Sequence, residues 1–235
     1  MKTKNIEQYE FISLGDENIE IVFSTSKGDL NFNRANTTGL ENINRIKKWF
    51  SVNKVGYLNQ THSDWVINYN GTVKDGDALI TNIPKVAIGV FTADCVPVIL
   101  YDEAKKIISA VHSGWQGTLN CIVLKAVKEM EKLYGTNAKD VKAYIGPHNR
   151  GCCYEFGQEL ADSFYKVSLY KNLDLYKSGK LNNEKCIIAQ LESAGVKNTS
   201  IKCLEICTFC NGNYKLFSHR KGDSGRMFSF AYIKK

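Results

Sequence analysis

TADCVPVILYDEAKKIISAVHSGWQG, residues 92–117, decides how this chain is read. Val96–Tyr101 and Ile107–Val111 are runs rich in Val and Ile, bounded by polar residues, the pattern of strands. Asp102–Lys106 between them is short and charged, as a hairpin connection is. Folding one run onto the other sets the start of the first beside the end of the second. Cys95 and His112 then stand side by side at one rim of a sheet. A thiol beside an imidazole has two chemical uses there: ligands for a metal, or nucleophile and base. Taken singly, each has a plainer reading, because a free Cys is commonly a buried small hydrophobe and a His at a strand end commonly a satisfied polar group. The neighbours favour chemistry. Asp94 is an acid inside an otherwise apolar run, costly to bury without a partner, and Ser113-Gly114-Trp115 follows His112.

Outward from this hairpin, Glu20–Ser24, Val55–Asn59, Trp65–Tyr69, Asp77–Ile80 and Val86–Phe91 read as strands, and so do Lys142–Ile145, Ile201–Ile206 and Met227–Ile233. Glu41–Phe50 has Ile43, Ile46 and Phe50 at helical spacing. Leu119, Ile122, Val123, Ala126, Val127, Met130 and Leu133 keep that spacing for four turns, stopped by Gly135. Gln158–Tyr165 is a further helix, as is the stretch carrying Ile187, Ile188, Leu191 and Ala194, with Gly195 as its stop. Strands in runs with irregularly placed helices predict an α+β fold with a mixed sheet, as one domain over 1–235.

With 235 residues, 43% hydrophobic and 23% charged, the chain has ordinary globular composition. Its net charge of +7 is spread out, without a basic stripe interleaved with aromatics, so anionic small molecules are favoured over nucleic acid. No uncharged apolar stretch reaches membrane length. The N-terminus MKTKNIEQYEF lacks a signal peptide's apolar core, so the eight cysteines are read as reduced thiols and the protein as cytoplasmic. Cys207-Thr208-Phe209-Cys210 is a single C-x-x-C. A structural zinc needs two more ligands, and only the Cys152–Cys153 pair suggests them, so free thiols without a second metal are expected.

Several motifs line up in order: Asn59-Gln60-Thr61-His62, Asp77-Ala78-Leu79, Thr92–Pro97, His112-Ser113-Gly114-Trp115, Ile145-Gly146-Pro147 with Cys153-Tyr154-Glu155, Cys207-Thr208, and Ser218-His219-Arg220 with Gly225-Arg226. Together they resemble the YfiH-like family, also called laccase-domain or multicopper polyphenol oxidase proteins, from about Phe23 to Phe230. The resemblance implies an α/β/β/α sandwich of the type shared with cysteine-dependent deamidase toxins, a fold of the cysteine hydrolase type. It implies one zinc held by His62, Cys95 and His112, with a coordination position left open. Asp94 is then a candidate to orient a ligand from behind, as part of the catalytic group. The chain departs from the family at Ser26 and Gln116, where many members have arginine, and the loop after Lys27 is shortened. Lys27, Arg45, Arg150, Arg220 and Arg226 remain as anion binders. Arg220 and Arg226 are favoured because they fall in family motifs, with Arg45 and Gln60 as further candidates for the substrate site.

The activity implied is a zinc-dependent purine nucleoside phosphorylase taking adenosine, inosine or 5′-methylthioadenosine with phosphate, with adenosine deamination beside it, in a monomer or weak homodimer. Three other readings compete. A copper polyphenol oxidase is opposed by histidine arithmetic: the chain has four, fewer than a laccase-type cluster requires, although copper could occupy the His/Cys/His set adventitiously. A metal-free cysteine hydrolase, of the kind suggested to edit peptidoglycan precursors, would use Cys95 as nucleophile and His112 as base. A zinc-stabilised binding domain would not be an enzyme.

Overall fold

The computed structural model describes residues 1–235. The chain opens with three strands, β1 (Lys2–Ile6), β2 (Tyr9–Gly15) and β3 (Ile19–Ser24), then helix α1 (Thr37–Trp49). Strands β4 (Lys54–Gly56), β5 (Val66–Asn68), β6 (Ala78–Thr81) and β7 (Val86–Thr92) follow. Next come the hairpin strands β8 (Val96–Asp102) and β9 (Ile107–Ser113), helices α2 (Trp115–Leu119) and α3 (Ile122–Tyr134), and β10 (Val141–Ile145). The remainder holds α4 (Gln158–Tyr165), the two-residue strands β11 (Tyr176–Lys177) and β12 (Lys180–Leu181), α5 (Asn183–Ala194), β13 (Ile201–Cys203) and β14 (Met227–Ile233).

Two six-stranded sheets form, in the orders β1-β2-β3-β14-β7-β4 and β13-β10-β8-β9-β6-β5. Both are mixed: β4 runs parallel to β7, and β13 parallel to β10, among antiparallel pairs. Strand β8 is buried throughout, and apolar as far as Tyr101, because both of its faces are covered, as the two-residue period requires. Its Val98 and Leu100 pack with Val123, Val127 and Met130 of α3 and Leu191 of α5. Its Ile99 and Tyr101 face the other sheet, where Ile21, Phe23, Ile88 and Val90 meet them. On the far side, Ile43 and Ile46 of α1 close over Phe11, Phe228 and Phe230. The layers therefore run helix, sheet, sheet, helix.

The predicted hairpin forms, with Pro97 opposite His112 and Val96 opposite Ser113. Several features differ from the sequence reading: the strands expected at Val55–Asn59 and Ile201–Ile206 shorten to β4 and β13, and the small β11–β12 hairpin is new. The Leu119–Leu133 periodicity is divided between α2 and α3 by Cys121, which takes the left-handed conformation at φ 59°. Helix α1 begins four residues early, because Asn36 caps it by accepting a hydrogen bond from Gly39 N at 2.8 Å. The β1–β2 hairpin has no counterpart in the sequence pattern. No helix is long and apolar enough to cross a membrane.

Candidate active site

The rim where β7 passes into β8 and β9 passes into α2 collects the reactive side chains. Cys95 sits just ahead of β8, His112 lies near the end of β9, and His62 comes from the loop between β4 and β5. Their ligand atoms all lie within 4.8 Å of one another. His62 Nε2 is 4.0 Å from Cys95 Sγ, and the two imidazoles stand edge to face with centroids 4.9 Å apart. His112 is buried, Cys95 half-buried and His62 exposed, so the triangle opens to solvent on the His62 side.

Asp77, fully buried ahead of β6, builds this arrangement. One carboxylate oxygen accepts from His112 Nδ1 at 2.7 Å. The carboxylate also accepts from the backbone N–H groups of Thr61, His62 and Ser63, at 3.2, 3.2 and 2.6 Å, and from Ser63 Oγ at 2.7 Å. One acid thus fixes the ring of His112 and the loop that presents His62, which holds a left-handed backbone at φ 58°. Burial alone would raise the Asp77 carboxyl, but the hydrogen bonds from His112 and Ser63 and the His112 charge bring it down to about 2. An ionised Asp77 can only accept, so Nδ1 of His112 carries the proton and Nε2 faces the triangle. Burial likewise acts to raise the Cys95 thiol, but the His112 charge and hydrogen bonds from His112 and His62 lower it to about 6. Burial opposes charge on His112 too, yet Cys95 and Asp77 lift it to about 9. Two imidazoles and a readily ionised thiol at this spacing are a donor set suited to zinc, with a fourth position free.

A cavity of about 430 Å³ borders the triangle, with Arg34, Gln60, Phe91, His219 and Arg226 in its wall. A larger neighbouring cleft of about 600 Å³ holds Trp115, Tyr154, Phe156 and Arg220.

Four expected assignments change against this geometry. The Asp94 carboxylate does not back a ligand: it accepts from Thr208 Oγ1 at 2.6 Å, Ser218 Oγ at 3.0 Å and Arg220 N at 2.8 Å. It ties the C-terminal loops to the turn before Cys95, and the orienting contact belongs to Asp77. Gln60 lies in the cavity wall, but its amide is spent on the backbone of Phe91, donating at 2.8 Å and accepting at 2.7 Å. Arg45 is exposed on α1 with Tyr9 Oη as its partner at 3.4 Å, outside the cavity. Arg220 lies in the adjoining cleft over the ring of Tyr154, 5.1 Å from its centroid, whereas Arg226 borders the triangle's own cavity.

Two residues were missed. Asp77 stood in a quoted motif, and an acid at the head of an apolar strand was the available signal. Arg34 comes from the shortened loop after Lys27. Its guanidinium lies 5.2 Å from the Phe91 ring and 5.3 Å from that of Tyr57, and it donates to Asn59 Oδ1 at 2.9 Å.

Residues 25–234 match the family described as multi-copper polyphenol oxidoreductase laccase, and the chain belongs to this laccase-like YfiH family. A Clostridium acetobutylicum protein named purine nucleoside phosphorylase is 48% identical over 239 residues, covering 100% of both chains. A protein from an unknown prokaryotic organism named adenosine deaminase RL5 is 33% identical, over 67% of this chain and 62% of its own length. Among solved structures, the hypothetical protein YfiH of Bacillus licheniformis superimposes with a TM-score of 0.83 at 26% identity, over 92% of this chain and 93% of that one.

Proposed function

We propose that this protein is a zinc-dependent purine nucleoside phosphorylase for adenosine, inosine and 5′-methylthioadenosine, with adenosine deamination as a second activity. The observation that carries the reading is the His62–Cys95–His112 triangle in a cavity it shares with two guanidinium groups, Arg34 and Arg226. The names of the relatives supply the reaction class. His62, Cys95 and His112 would hold the ion, which when bound supplies a Lewis acid with an open position, able to bring the pKa of a bound water from about 15.7 to about 7.

The chain's own residues do the rest. Asp77 holds His112 in the tautomer that presents Nε2 and keeps the His62 loop in place. Arg34 and Arg226 provide planar donors for the phosphate dianion. Phe91 offers an aromatic wall for the purine. A phosphate oxygen bonds to the anomeric carbon as the bond to the purine nitrogen breaks, and the base leaves with that electron pair and takes up a proton. His219, which lines the cavity wall, would supply it. Ribose 1-phosphate and free base are the products, and phosphate-dependent release of both from inosine is the test. No release from any purine nucleoside by zinc-loaded protein overturns the reading.

Copper-cluster oxidation finds too few donors: of the four histidines only His62 and His112 belong to the ligand group, His219 stands in the cavity wall outside it, and His148 is buried against Gly146 O at 2.9 Å. The lowered Cys95 thiol beside His112 favours a second reading, a metal-free cysteine hydrolase. Activity that survives stripping of zinc would support it.

A further inference from the structure

The C-x-x-C of Cys207 and Cys210 is not without partners. The fold brings Cys152 and Cys153 to it, and the four sulfurs all lie within 4.8 Å of one another. Cys152 Sγ and Cys210 Sγ are 3.7 Å apart. Tetrahedral zinc with bonds of about 2.3 Å sets its sulfurs on edges of about 3.8 Å, so that pair already has the spacing of two ligands of one ion. A disulfide would hold its sulfurs at about 2.05 Å, and all four cysteines are free thiols.

The backbone holds this geometry. The two loops run parallel through the bridge between His148 and Cys207, with His148 N donating to Ile206 O at 3.2 Å and Thr208 N to His148 O at 2.9 Å. One loop turns sharply where Cys153 N and Tyr154 N both donate to Arg150 O at 2.8 Å. The other closes where Asn211 N donates to Cys207 O at 3.2 Å. Cys207 is buried, Cys153 half-buried, and Cys152 and Cys210 exposed, so an ion can reach the cluster from solvent. The guanidinium of Arg150 donates to Glu205 O at 3.2 Å and pairs with Glu184 Oε1 at 3.1 Å, which ties the loop of Cys152 to the loop of Cys207 and to α5.

We propose that Cys152, Cys153, Cys207 and Cys210 form a second metal site, a structural zinc tetrathiolate separate from the His62–Cys95–His112 triangle. One Zn²⁺ displaces the thiol protons, up to four, which pass to solvent. Each thiolate keeps its electron pair for the bond to zinc, and nothing is oxidised or reduced. Four thiolates leave no open position, so the ion's work is architectural. It joins the loop that carries Tyr154, under Arg220, to the loop that carries Thr208, the partner of Asp94. The clamp thereby braces the outer wall of the active site.

The test is elemental analysis of the full-length chain purified under reducing conditions. Wild type is expected to hold about two zinc ions per chain, Cys95→Ala about one, and Cys95→Ala with Cys207→Ser none. Because Cys95→Ala removes the triangle, failure of the triangle to bind zinc leaves this arm readable. Where the Cys207 variant does not fold, metal-free Cys95→Ala protein is titrated with Co²⁺. The expected result is one equivalent with thiolate-to-cobalt charge-transfer bands of tetrathiolate intensity, bleached by zinc. Mass spectrometry of the same Cys95→Ala protein should find Cys152, Cys153, Cys207 and Cys210 protected from alkylation by zinc and released by a chelator. A Cys95→Ala chain that holds no zinc and binds no cobalt overturns the proposal, as does a Cys152–Cys210 disulfide that persists under reductant.

Discussion

Asp77 Oδ1 and His112 Nδ1 lie 2.7 Å apart, both residues buried, and this contact gives His112 its orientation. The same carboxylate collects three backbone N–H groups from the His62 loop. Replacing Asp77 with Asn keeps the size but turns an acceptor of several hydrogen bonds into a group whose NH₂ must face donors. Removal of a partner behind a ligand costs roughly 10–100-fold in metal affinity. Asp77→Asn is therefore expected to weaken zinc binding at the triangle by at least tenfold, measured by chelator competition in a background lacking Cys207 and Cys210. Unchanged affinity in a folded variant would separate Asp77 from the metal.

The charges in the triangle predict a pH signature in the metal-free protein. Cys95 falls from an ordinary 9.0 to about 6, so the stability it contributes is present above 9.0 and lost as pH falls through 6. His112 rises from 6.5 to about 9, so its contribution is present below 6.5 and lost as pH rises through 9. These are one coupling seen from its two ends. The thiolate–imidazolium pair stabilises the fold between about pH 6 and about pH 9 and fades on both sides. Alkylation of Cys95 should accordingly inflect near pH 6, and His112→Ala should move the inflection up toward the ordinary thiol range. An inflection near 9 in the wild type would refute the pair.

Gly114 supplies a steric test. Its backbone, at φ −69° and ψ 175°, suits any residue, so a side chain there brings no backbone strain. A Cβ would stand 2.8 Å from His62 Cδ2 and 3.4 Å from Cys95 Sγ. Gly114→Ala must push the His62 imidazole away from its partners, and His62, exposed and on a loop, can yield. The expected result is a fall in zinc affinity of roughly tenfold with only a small loss in Tm, because alanine is merely a poorer helix cap than glycine at this position. Zinc affinity equal to wild type would mean that His62 does not bind the ion.

Much of this site was legible, and the failures share a cause. The β8–β9 hairpin could be read because each strand announces itself locally by continuous apolar character, and a short charged turn fixes the pairing. That alone set Cys95 beside His112. The β1–β2 hairpin was harder, since β1 is an edge strand of mostly exposed, polar residues that show no apolar alternation. The break at Cys121 escaped because one left-handed residue leaves the helical phase of the apolar positions nearly intact. The role of Asp77 depends on backbone groups 14 to 16 residues upstream, and composition does not record backbone donors. The four-cysteine cluster joins loops whose nearest members are separated by more than fifty residues, through a bridge between His148 and Cys207 that no local pattern reveals.

Phosphate binding distinguishes the arginines. Arg34 and Arg226 border the triangle's cavity, whereas Arg45 lies on the outer face of α1 and Arg220 in the adjoining cleft. Arg226 Nη1 is held by the carbonyls of Ser224 and Gly225, at 3.3 and 2.8 Å, which fixes the guanidinium before any anion arrives. Arg34 is held over Phe91 and donates to Asn59. A charge-assisted hydrogen bond is worth roughly 1.5–3 kcal/mol, so Arg34→Ala and Arg226→Ala should each lower kcat/KM for phosphate at least tenfold in ribose 1-phosphate release from inosine. Arg45→Ala should match wild type. Arg34→Lys keeps the charge but loses the planar fork and its stacking on Phe91, so it should recover only part of the loss. Phosphate kinetics that are unchanged in Arg34→Ala and Arg226→Ala but impaired in Arg220→Ala would move the anion into the cleft of Trp115 and Tyr154 and place the purine, rather than the phosphate, against Phe91.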